Sequence, residues 1–517
     1  TDVAGAKAKI ASKGKLGEKF AVVIDTVYVN LPKSGRLVFR SGDKVYDTLL
    51  NGGNKQYTAC PRFLPAGKYT AYAAFDRFSF DGKKELPLGE VELAPNPNIV
   101  LPQFEVKQVN GKSLLSRDGK IVSAATFCHG QQLSIEVKTI NDDAGIKLHM
   151  FWIGNSGGHD GKIDLAAADE AIRFALRQIE HDPEAHLLVC ASLKPPKKYA
   201  RSKKYQKDLT VTSAGDKLHI SGKAGESKFG IPYKKRSDIE LTGFSSVSHA
   251  SQSKIKEYCE NVASLVNYFE NSPYASKIAG YGFSGEMDGQ WHMYAPYSGR
   301  GTKVGMVDYS PVMLEYFREY LRSKYQTETA LQKAWKRPDV TFETAVIPGY
   351  DERVGENFFV SKAASDYAEA YAKAEVELIA ALSKTAKDTL KRKALIWVYT
   401  KDSYRDVGLN QFLPHVLNSG SGFEQYTTPY FDACGNPTDY YFRQNGLHPA
   451  NRGCHSSAHL NRKIKLLEMD LRSYLTQQHQ IFYGGYTAFD TMNHFSNVLM
   501  EGFQYGSSDR FYTFWLG

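Results

Sequence analysis

At 517 residues the chain is too long for one hydrophobic core, so two or three domains are expected. Its 42% hydrophobic and 23% charged residues are typical of a globular protein and argue against long disordered regions. No apolar run is long enough to cross a bilayer, and the formal net charge of +9 favours anionic partners such as nucleic acid, acidic lipid or a charged polysaccharide. Because the chain begins with Thr1 and shows no signal-peptide core, we expect it to be processed.

The first part of the sequence predicts a small β domain. Residues 1–17 are rich in Lys, Ala and Gly, which indicates an N-terminal extension. Residues 18–117 contain short alternating runs such as FAVVIDTVYVNL and KYTAYAAF, separated by turn sequences. This pattern is typical of an antiparallel accessory domain, which we interpret as a β-sandwich. A Pro/Asn linker at 94–98 precedes a further strand pair around 99–117.

From residue 118 strands and helices alternate, which predicts a (β/α)8 TIM barrel over 118–517. Asp164 and the Ser310-Pro311 pair give two of the intervening helices clear starts. A doubly wound sheet is the alternative, but no glycine-rich phosphate motif follows an early strand. The predicted strands are IVSAATF, IKLHMFWIG, AHLLVCASL, KIAGYGFSG, ALIWVYT, GFEQYTTPYF, IKLLEMD and RFYTFWL. The last of these reaches the end of the sequence, so we expect either that the barrel is truncated after its eighth strand or that something beyond Gly517 completes it.

Two glutamates stand at the ends of predicted barrel strands. Glu286 follows the fourth strand and Glu468 the apolar part of the seventh. Barrel enzymes carry their working groups at these ends, and a carboxylate there is costly unless it is used or paired. Two such carboxylates are what glycosidic cleavage needs, one as acid and one as nucleophile or base. A salt-bridged strand-end residue is the alternative for either one alone.

Three segments carry a family resemblance. IAGYGFSGE resembles the fourth-strand motif of glycoside hydrolase family 42 and its clan A relatives, and KIKLLEMDLRSYL resembles their seventh-strand segment. DYSPVMLEYFREYLRSKYQTETALQKAW is similar to the helix pair that follows the fourth strand there. The resemblance implies that Glu286 is the acid/base and Glu468 the nucleophile of a retaining double displacement. It also implies an oligomer, with a trimer favoured.

The sequence departs from the family at two places. Gly285 stands where the clan normally has an Asn that binds a sugar hydroxyl, which puts recognition at that subsite in doubt. The zinc-binding cysteine cluster of many family 42 enzymes has no counterpart, so we expect no metal and no cofactor. Cys434 and Cys454 are candidates for a disulfide.

Other polar and aromatic residues near predicted strand ends are candidates for sugar binding. Aromatic rings there could stack on sugar faces, although each could equally belong to the core. Arg472 could orient the nucleophile or pair with Asp470 instead. The candidates are Trp291, Tyr399, Tyr430, Arg472 and Trp515, with His129, Glu424 and His159 as weaker ones.

The positions of basic residues in the sequence indicate which class of substrate to expect. The segment 194–207 after the third strand contains KPPKKYARSKKYQK, and YKKR follows at 233–236. A basic rim at the catalytic face would attract an anionic sugar chain. With the family 42 resemblance, this indicates exo-cleavage of a sulfated β-galactan, as in the carrageenan-degrading relatives of glycoside hydrolase family 167, acting in the periplasm or secreted. A neutral β-galactoside, a non-catalytic carbohydrate-binding barrel and a nucleic-acid-binding protein are the alternatives.

Overall fold

The computed structural model contains an antiparallel sheet followed by a parallel barrel. No helix among the described residues combines the length and hydropathy needed to cross a bilayer. The structure describes residues 1–28, 30–129, 142–155, 162–193, 203–211, 247–285, 291, 308–353, 355–400, 427–436, 455–471 and 509–514.

Seven strands at the start of the chain form the antiparallel sheet. They are β1 (Lys7–Ser12), β2 (Phe20–Asp25), β3 (Ser34–Ser41), β4 (Lys44–Gly53), β5 (Gln56–Ala59), β6 (Gly67–Ala74) and β7 (Glu85–Leu93). Hydrogen bonds join them in the order β1-β2-β5-β4-β3-β6-β7. The end strands β1 and β7 are in contact, so the sheet is curled and barrel-like.

Alternating burial explains why this sheet curls around one core. Phe20, Val22 and Ile24 of β2 are fully buried, while the residues between them are only half buried. Each strand therefore presents one apolar face, and curling the sheet brings these faces together. The buried cluster draws residues from all seven strands or the turns beside them.

This region differs from the sequence-based expectation in two ways. All seven strands belong to one curled sheet rather than to the two facing sheets of a sandwich. Residues 1–17 are also part of the domain, because β1 pairs antiparallel with β2 and both Val3 and Leu16 are buried. The lysines of β1 lie outward while Ala8 and Ile10 pack on the core, as expected for an edge strand protected by lysine.

A small sheet leads into the barrel. It consists of β8 (Phe104–Val109), β9 (Lys112–Arg117) and β10 (Lys120–Ile121), paired antiparallel in the order β10-β9-β8. The main-chain N–H of Phe104 donates to the carbonyl of Lys393, just before a barrel strand. Phe104 and Leu115 are buried in the same cluster as barrel residues, so this sheet covers one end of the barrel.

Eight parallel strands close into the barrel. They are β11 (Thr126–His129), β12 (Leu148–Asn155), β13 (His186–Leu193), β14 (Ile278–Gly285), β15 (Leu395–Tyr399), β16 (Ala433–Asn436), β17 (Ile464–Leu471) and β18 (Asp509–Phe514). Each pairs in parallel with the next, and β18 pairs with β11. The sixth strand was expected in GFEQYTTPYF, but β16 begins later, at Ala433.

Helices occupy several of the connections between barrel strands. They are α1 (Leu165–Ile179), α2 (Gln252–Glu270), α3 (Pro311–Tyr325), α4 (Glu328–Trp335), α5 (Gly355–Val360), α6 (Lys362–Thr389) and α7 (His455–Leu460). Asp164 caps α1 and Ser310 caps α3, as the sequence predicts. The helix expected over QQLSIEVKTINDDAG falls largely outside the described residues.

The barrel strands separate two cores. Inside, Cys190, Trp397 and Leu466 belong to one buried cluster. Outside, Val189, Val398 and many other residues pack against α1, α2 and the second half of α6. Because strand residues alternate between these cores, the position of a residue along its strand tells which core it faces.

Charged side chains join the curled sheet to the barrel. Arg36 of β3 pairs with both Asp47 and Glu180, and Arg177 also pairs with Asp47 at 2.6 Å. A Glu180 carboxylate oxygen accepts the main-chain N–H of Leu49 at 3.1 Å. Glu180 follows α1, so these contacts hold α1 against the curled sheet.

Lys277 stabilises the end of the barrel opposite the expected active site. It is 2% exposed, and its Nζ donates to the carbonyls of Asp182, Pro183 and Ala185 at 2.8–2.9 Å. We expect Lys277→Met to lower the free energy of unfolding by about 2–4 kcal/mol, because three carbonyls, of which that of Ala185 is buried, lose their donor. Urea denaturation at pH 7 would measure this.

Lys393→Met is the matched control for that substitution. Lys393 also precedes a barrel strand and pairs with Glu105 at 2.6 Å, but its side chain is 63% exposed. Its loss should cost less than about 1 kcal/mol. Equal effects of the two substitutions would contradict a stabilising role for the buried contacts of Lys277.

Candidate active site

The strand register relates the two candidate glutamate positions. Phe283 pairs with Val398, so the next residues of these strands, Ser284 and Tyr399, lie side by side. Tyr399 pairs with Gly435, and Gly435 pairs with Leu466. This row of residues crosses four neighbouring strands, from β14 to β17. Position 286 is two residues beyond Ser284, and position 468 is two residues beyond Leu466.

The structure describes only part of the predicted catalytic pair. Glu468 lies in β17, where its main chain pairs with that of Phe511. The side chain of Glu468 and the whole of Glu286 lie outside the described residues. The same holds for Arg472, Trp515, Glu424 and His159. His129 ends β11, and its side chain is likewise not described.

Trp291 belongs to the core instead of forming a platform for a sugar. It is fully buried, in the cluster between the barrel and its helices. Its Nε1 donates to the carbonyl of Phe283 at 3.3 Å. A Cβ at Gly285 would lie 2.2 Å from Cζ3 of Trp291, so the ring occupies the space of a side chain at position 285. This packing leaves no room for a side chain at position 285, which explains why a glycine stands there.

Tyr399 and Tyr430 lie at opposite ends of the barrel. Tyr399 is the last residue of β15, on the inner face, and is 7% exposed. Tyr430 precedes β16 and is half buried, with the Nζ of Lys384 lying 5.9 Å from its ring centre. The late start of β16 therefore places Tyr430 at the N-terminal ends of the strands, away from the expected site.

Aromatic rings beneath Tyr399 form a group that we did not select from the sequence. The ring centres of Trp397 and Tyr399 are 5.6 Å apart, and those of Trp152 and Trp397 are 5.8 Å apart with an edge-on geometry. Trp152 is half buried. All three have inner-face positions, so they form an aromatic layer inside the barrel. Their alternation with outward-facing residues in LHMFWIG and LIWVY was the available signal.

Ser284 is another residue that could not be selected from the sequence. It is 1% exposed, and among the described residues its Oγ has no hydrogen-bond partner. It belongs to the register row described above, two residues before position 286. A buried hydroxyl at this level can bind a water molecule or a ligand group.

Cys434 is a free, buried thiol in β16, and burial raises its pKa to about 12. The proposed bond to Cys454 is therefore not formed in this structure. Within the described ranges, no three His, Cys, Asp or Glu side chains are grouped as metal ligands.

Comparisons with known proteins identify the fold. No protein-family profile and no curated protein sequence matches the chain. The catalytic domain of β-amylase from Paenibacillus polymyxa is similar in structure, with a TM-score of 0.52 and 11% identity over 76% of this chain and 92% of that one. This similarity shows a shared mixed α/β fold.

Two other solved structures are more distant. A β-galactosidase from the psychrophilic Marinomonas ef1 has a TM-score of 0.48 and 11% identity over 76% of this chain and 54% of that one. An exo-β-agarase has a TM-score of 0.43 and 9% identity, covering 98% of this chain and 83% of that one.

Proposed function

We propose that the chain is a glycoside hydrolase with a (β/α)8 catalytic barrel, in which Glu286 is the general acid/base and Glu468 the nucleophile. The observation that carries the proposal is the register row from Ser284 to Leu466. Glu286 and Glu468 each follow a member of this row by two residues in the sequence, Ser284 in β14 and Leu466 in β17, and barrel enzymes hold their catalytic groups at the carboxyl ends of such strands.

Alternation along the described parts of β14 and β17 supports this assignment. Ile464 and Leu466 belong to the inner core, and Glu468 follows Leu466 by two residues in β17. A Cβ at Gly282 would meet Cys190 Sγ and Trp397 Cε3, so Gly282 faces the same core, and Glu286 follows it by four residues in the sequence. Two carboxylates that face one another across the barrel mouth suit glycosidic cleavage.

The reaction that fits these roles is a double displacement with retention. Glu286 protonates the oxygen of the leaving sugar while Glu468 attacks the anomeric carbon and forms a glycosyl-enzyme. Glu286 then removes a proton from the water that releases the product. This route requires carboxyl groups about 5 Å apart. The aromatic layer of Trp152, Trp397 and Tyr399 forms the floor under the reacting sugar.

The substrate we propose is a β-galactosidic linkage in an anionic, sulfated galactan such as a carrageenan oligosaccharide, cleaved from a chain end. The support is the net charge of +9 and the basic segments at 194–207 and 233–236, in a connection that follows the carboxyl end of β13. We also propose that the protein forms a homo-oligomer, with a trimer favoured. A location in the periplasm or outside the cell would bring it into contact with such polymers.

A hydrolysis panel tests this proposal. It contains an aryl β-galactoside, neutral galactan oligosaccharides and sulfated carrageenan oligosaccharides, assayed at several salt concentrations. We expect the sulfated members to be cleaved best, with kcat/KM falling as salt screens the basic rim. Proton NMR during the reaction should show the β-anomer of the product first. Preference for neutral members would reject the anionic substrate, and binding without cleavage would favour a non-catalytic barrel.

A further inference from the structure

Two serines occupy neighbouring inner-face positions near the carboxyl ends of β13 and β14. Ser192 and Ser284 are partners in the strand register. Ala191 and Phe283, which precede them, pack in the outer core, so by alternation both serines face the interior of the barrel. Ser284 is 1% exposed, whereas Ser192 is only half buried. A ligand that enters the barrel mouth can therefore reach this level on β13.

The level directly below the two serines is closed by the aromatic layer. Its register partners on four neighbouring strands are Trp152, Cys190, Gly282 and Trp397. A Cβ at Gly282 would lie 2.7 Å from Cε3 of Trp397, so the indole ring fills the place of a side chain there. Trp152 is half buried, so part of its ring is accessible. The serines thus lie one level above an aromatic surface.

Ser284 has a hydroxyl group that can take a new partner. Among the described residues its Oγ has no hydrogen-bond partner, and an unpaired buried hydroxyl is costly. A ligand that supplies the missing partner recovers this cost. Rotation about the Cα–Cβ bond to reach such a ligand breaks no side-chain hydrogen bond to a described residue. Ser284 is therefore suited to bind a group placed beside Ser192.

The chemistry of this level fits a neutral polar ligand. Each serine hydroxyl can donate one hydrogen bond and accept others, which is also what a sugar hydroxyl can do. Aromatic rings below can pack against the C–H groups of a sugar. The side chains described at the same level on β15 and β17, Tyr399 and Leu466, carry no charge. A sulfate ester placed here would lose its hydration without gaining a cation among these residues.

We propose that Ser192 and Ser284 together bind one unsulfated hydroxyl group of a galactoside that lies on the aromatic layer; this inference rests on the proposed function. One serine donates to the sugar oxygen and the other accepts its proton. Sulfate groups of the substrate then belong to other positions of the sugar chain. The serine pair thus selects a sugar that carries a free hydroxyl at this point.

Ser284→Ala tests the pair through binding. The ligands are methyl 1-thio-β-galactoside, whose sulfur resists cleavage, and its 2-, 3-, 4- and 6-deoxy analogues, titrated by calorimetry. We expect the Kd of the parent sugar to rise about 3- to 10-fold in this variant. For the one analogue that lacks the bound hydroxyl, the variant and the wild type should agree within about 2-fold. Ser192→Ala should lose its effect on the same analogue.

Ser383→Ala is the matched control. Ser383 of α6 is also fully buried, and its Oγ has no partner among the described residues. Neither Ser383→Ala nor Ser284→Ala should lower the unfolding temperature, because each removes an unpaired buried hydroxyl. Ser383→Ala should leave the Kd of every sugar unchanged.

Three results would overturn the serine pair. They are an equal effect of Ser284→Ala on all five sugars, coupling of the two serines to different hydroxyls, and a wild type that binds no galactoside. A wild type that binds these sugars but cleaves no member of the hydrolysis panel would overturn the proposed function instead. The titrations would then still decide whether the serines bind the sugar.

Discussion

Replacing Glu468 with alanine is expected to lower kcat by about 10⁴- to 10⁶-fold, the range found when an enzyme loses its nucleophile. The loss should be similar for good and poor leaving groups, because the attack on the anomeric carbon fails with either. Initial rates on aryl and methyl β-galactosides would measure it. Glu105→Gln is a control, since Glu105 pairs with Lys393 outside the expected site and should leave kcat unchanged.

Azide can confirm the role of Glu468 in the same variant. The alanine leaves room for this small anion beside the anomeric carbon, where it can attack from the side of the missing carboxylate. A β-galactoside should then give the α-galactosyl azide, which NMR identifies. A β-azide would place the attack on the other face and contradict the assignment of Glu468 as nucleophile.

Glu286→Gln should show a contrasting pattern, because the acid matters only where a proton is needed. We expect a loss of about 10²- to 10⁴-fold on methyl β-galactoside. The loss in kcat/KM on 2,4-dinitrophenyl β-galactoside should be much smaller. A uniform loss in both variants would show that the two glutamates do not divide the roles of acid and nucleophile.

Long, regular elements could be predicted from the sequence because their local patterns are strong. The helix starts at Asp164 and Ser310 and strands such as β14 and β15 agree with the structure. The start of β16 could not be predicted, since the apolar and aromatic residues of GFEQYTTPYF fit a strand as well as a connection. One wrong strand start then moved Tyr430 to the opposite end of the barrel.

Side-chain roles were harder to predict than strands. Trp291 follows a strand end, where an aromatic ring could equally well line a cleft or pack on a glycine. Only the three-dimensional structure shows that Gly285 makes room for it. The curled shape of the N-terminal sheet has the same origin, because alternation defines a buried face but does not say whether a second sheet or the sheet itself covers it.

Two buried histidines should make the protein sensitive to mild acid. His149 and His186, in β12 and β13, are 5% and 8% exposed. Burial lowers the pKa of each from 6.5 to about 4, and the charge of Lys277 adds to the effect at His186. Both are therefore neutral in the folded protein at pH 5, whereas in the unfolded chain they bind protons below about pH 6.5.

The sign of the effect follows from this difference. Between pH 6.5 and 4 the unfolded chain binds more protons than the folded one, so the free energy of unfolding decreases as the pH falls. At pH 5 each histidine should account for a loss of about 2 kcal/mol relative to pH 8. Urea denaturation at pH 8, 6.5, 5.5 and 5 would measure this slope.

Substitution separates the histidines from other titrating groups. His149→Gln and His186→Gln should each reduce the difference between pH 8 and pH 5 by about 2 kcal/mol, and the double variant by about 4 kcal/mol. The values at pH 8 give the cost of each substitution itself, so only the change with pH is compared. If the double variant kept the wild-type slope, neither histidine would be held neutral by burial. The acid sensitivity would then have to come from carboxylates such as Asp182. Burial raises the pKa of Asp182, but its hydrogen bond with Lys147 and other contacts lower the pKa overall. The loss of stability would therefore begin at a lower pH.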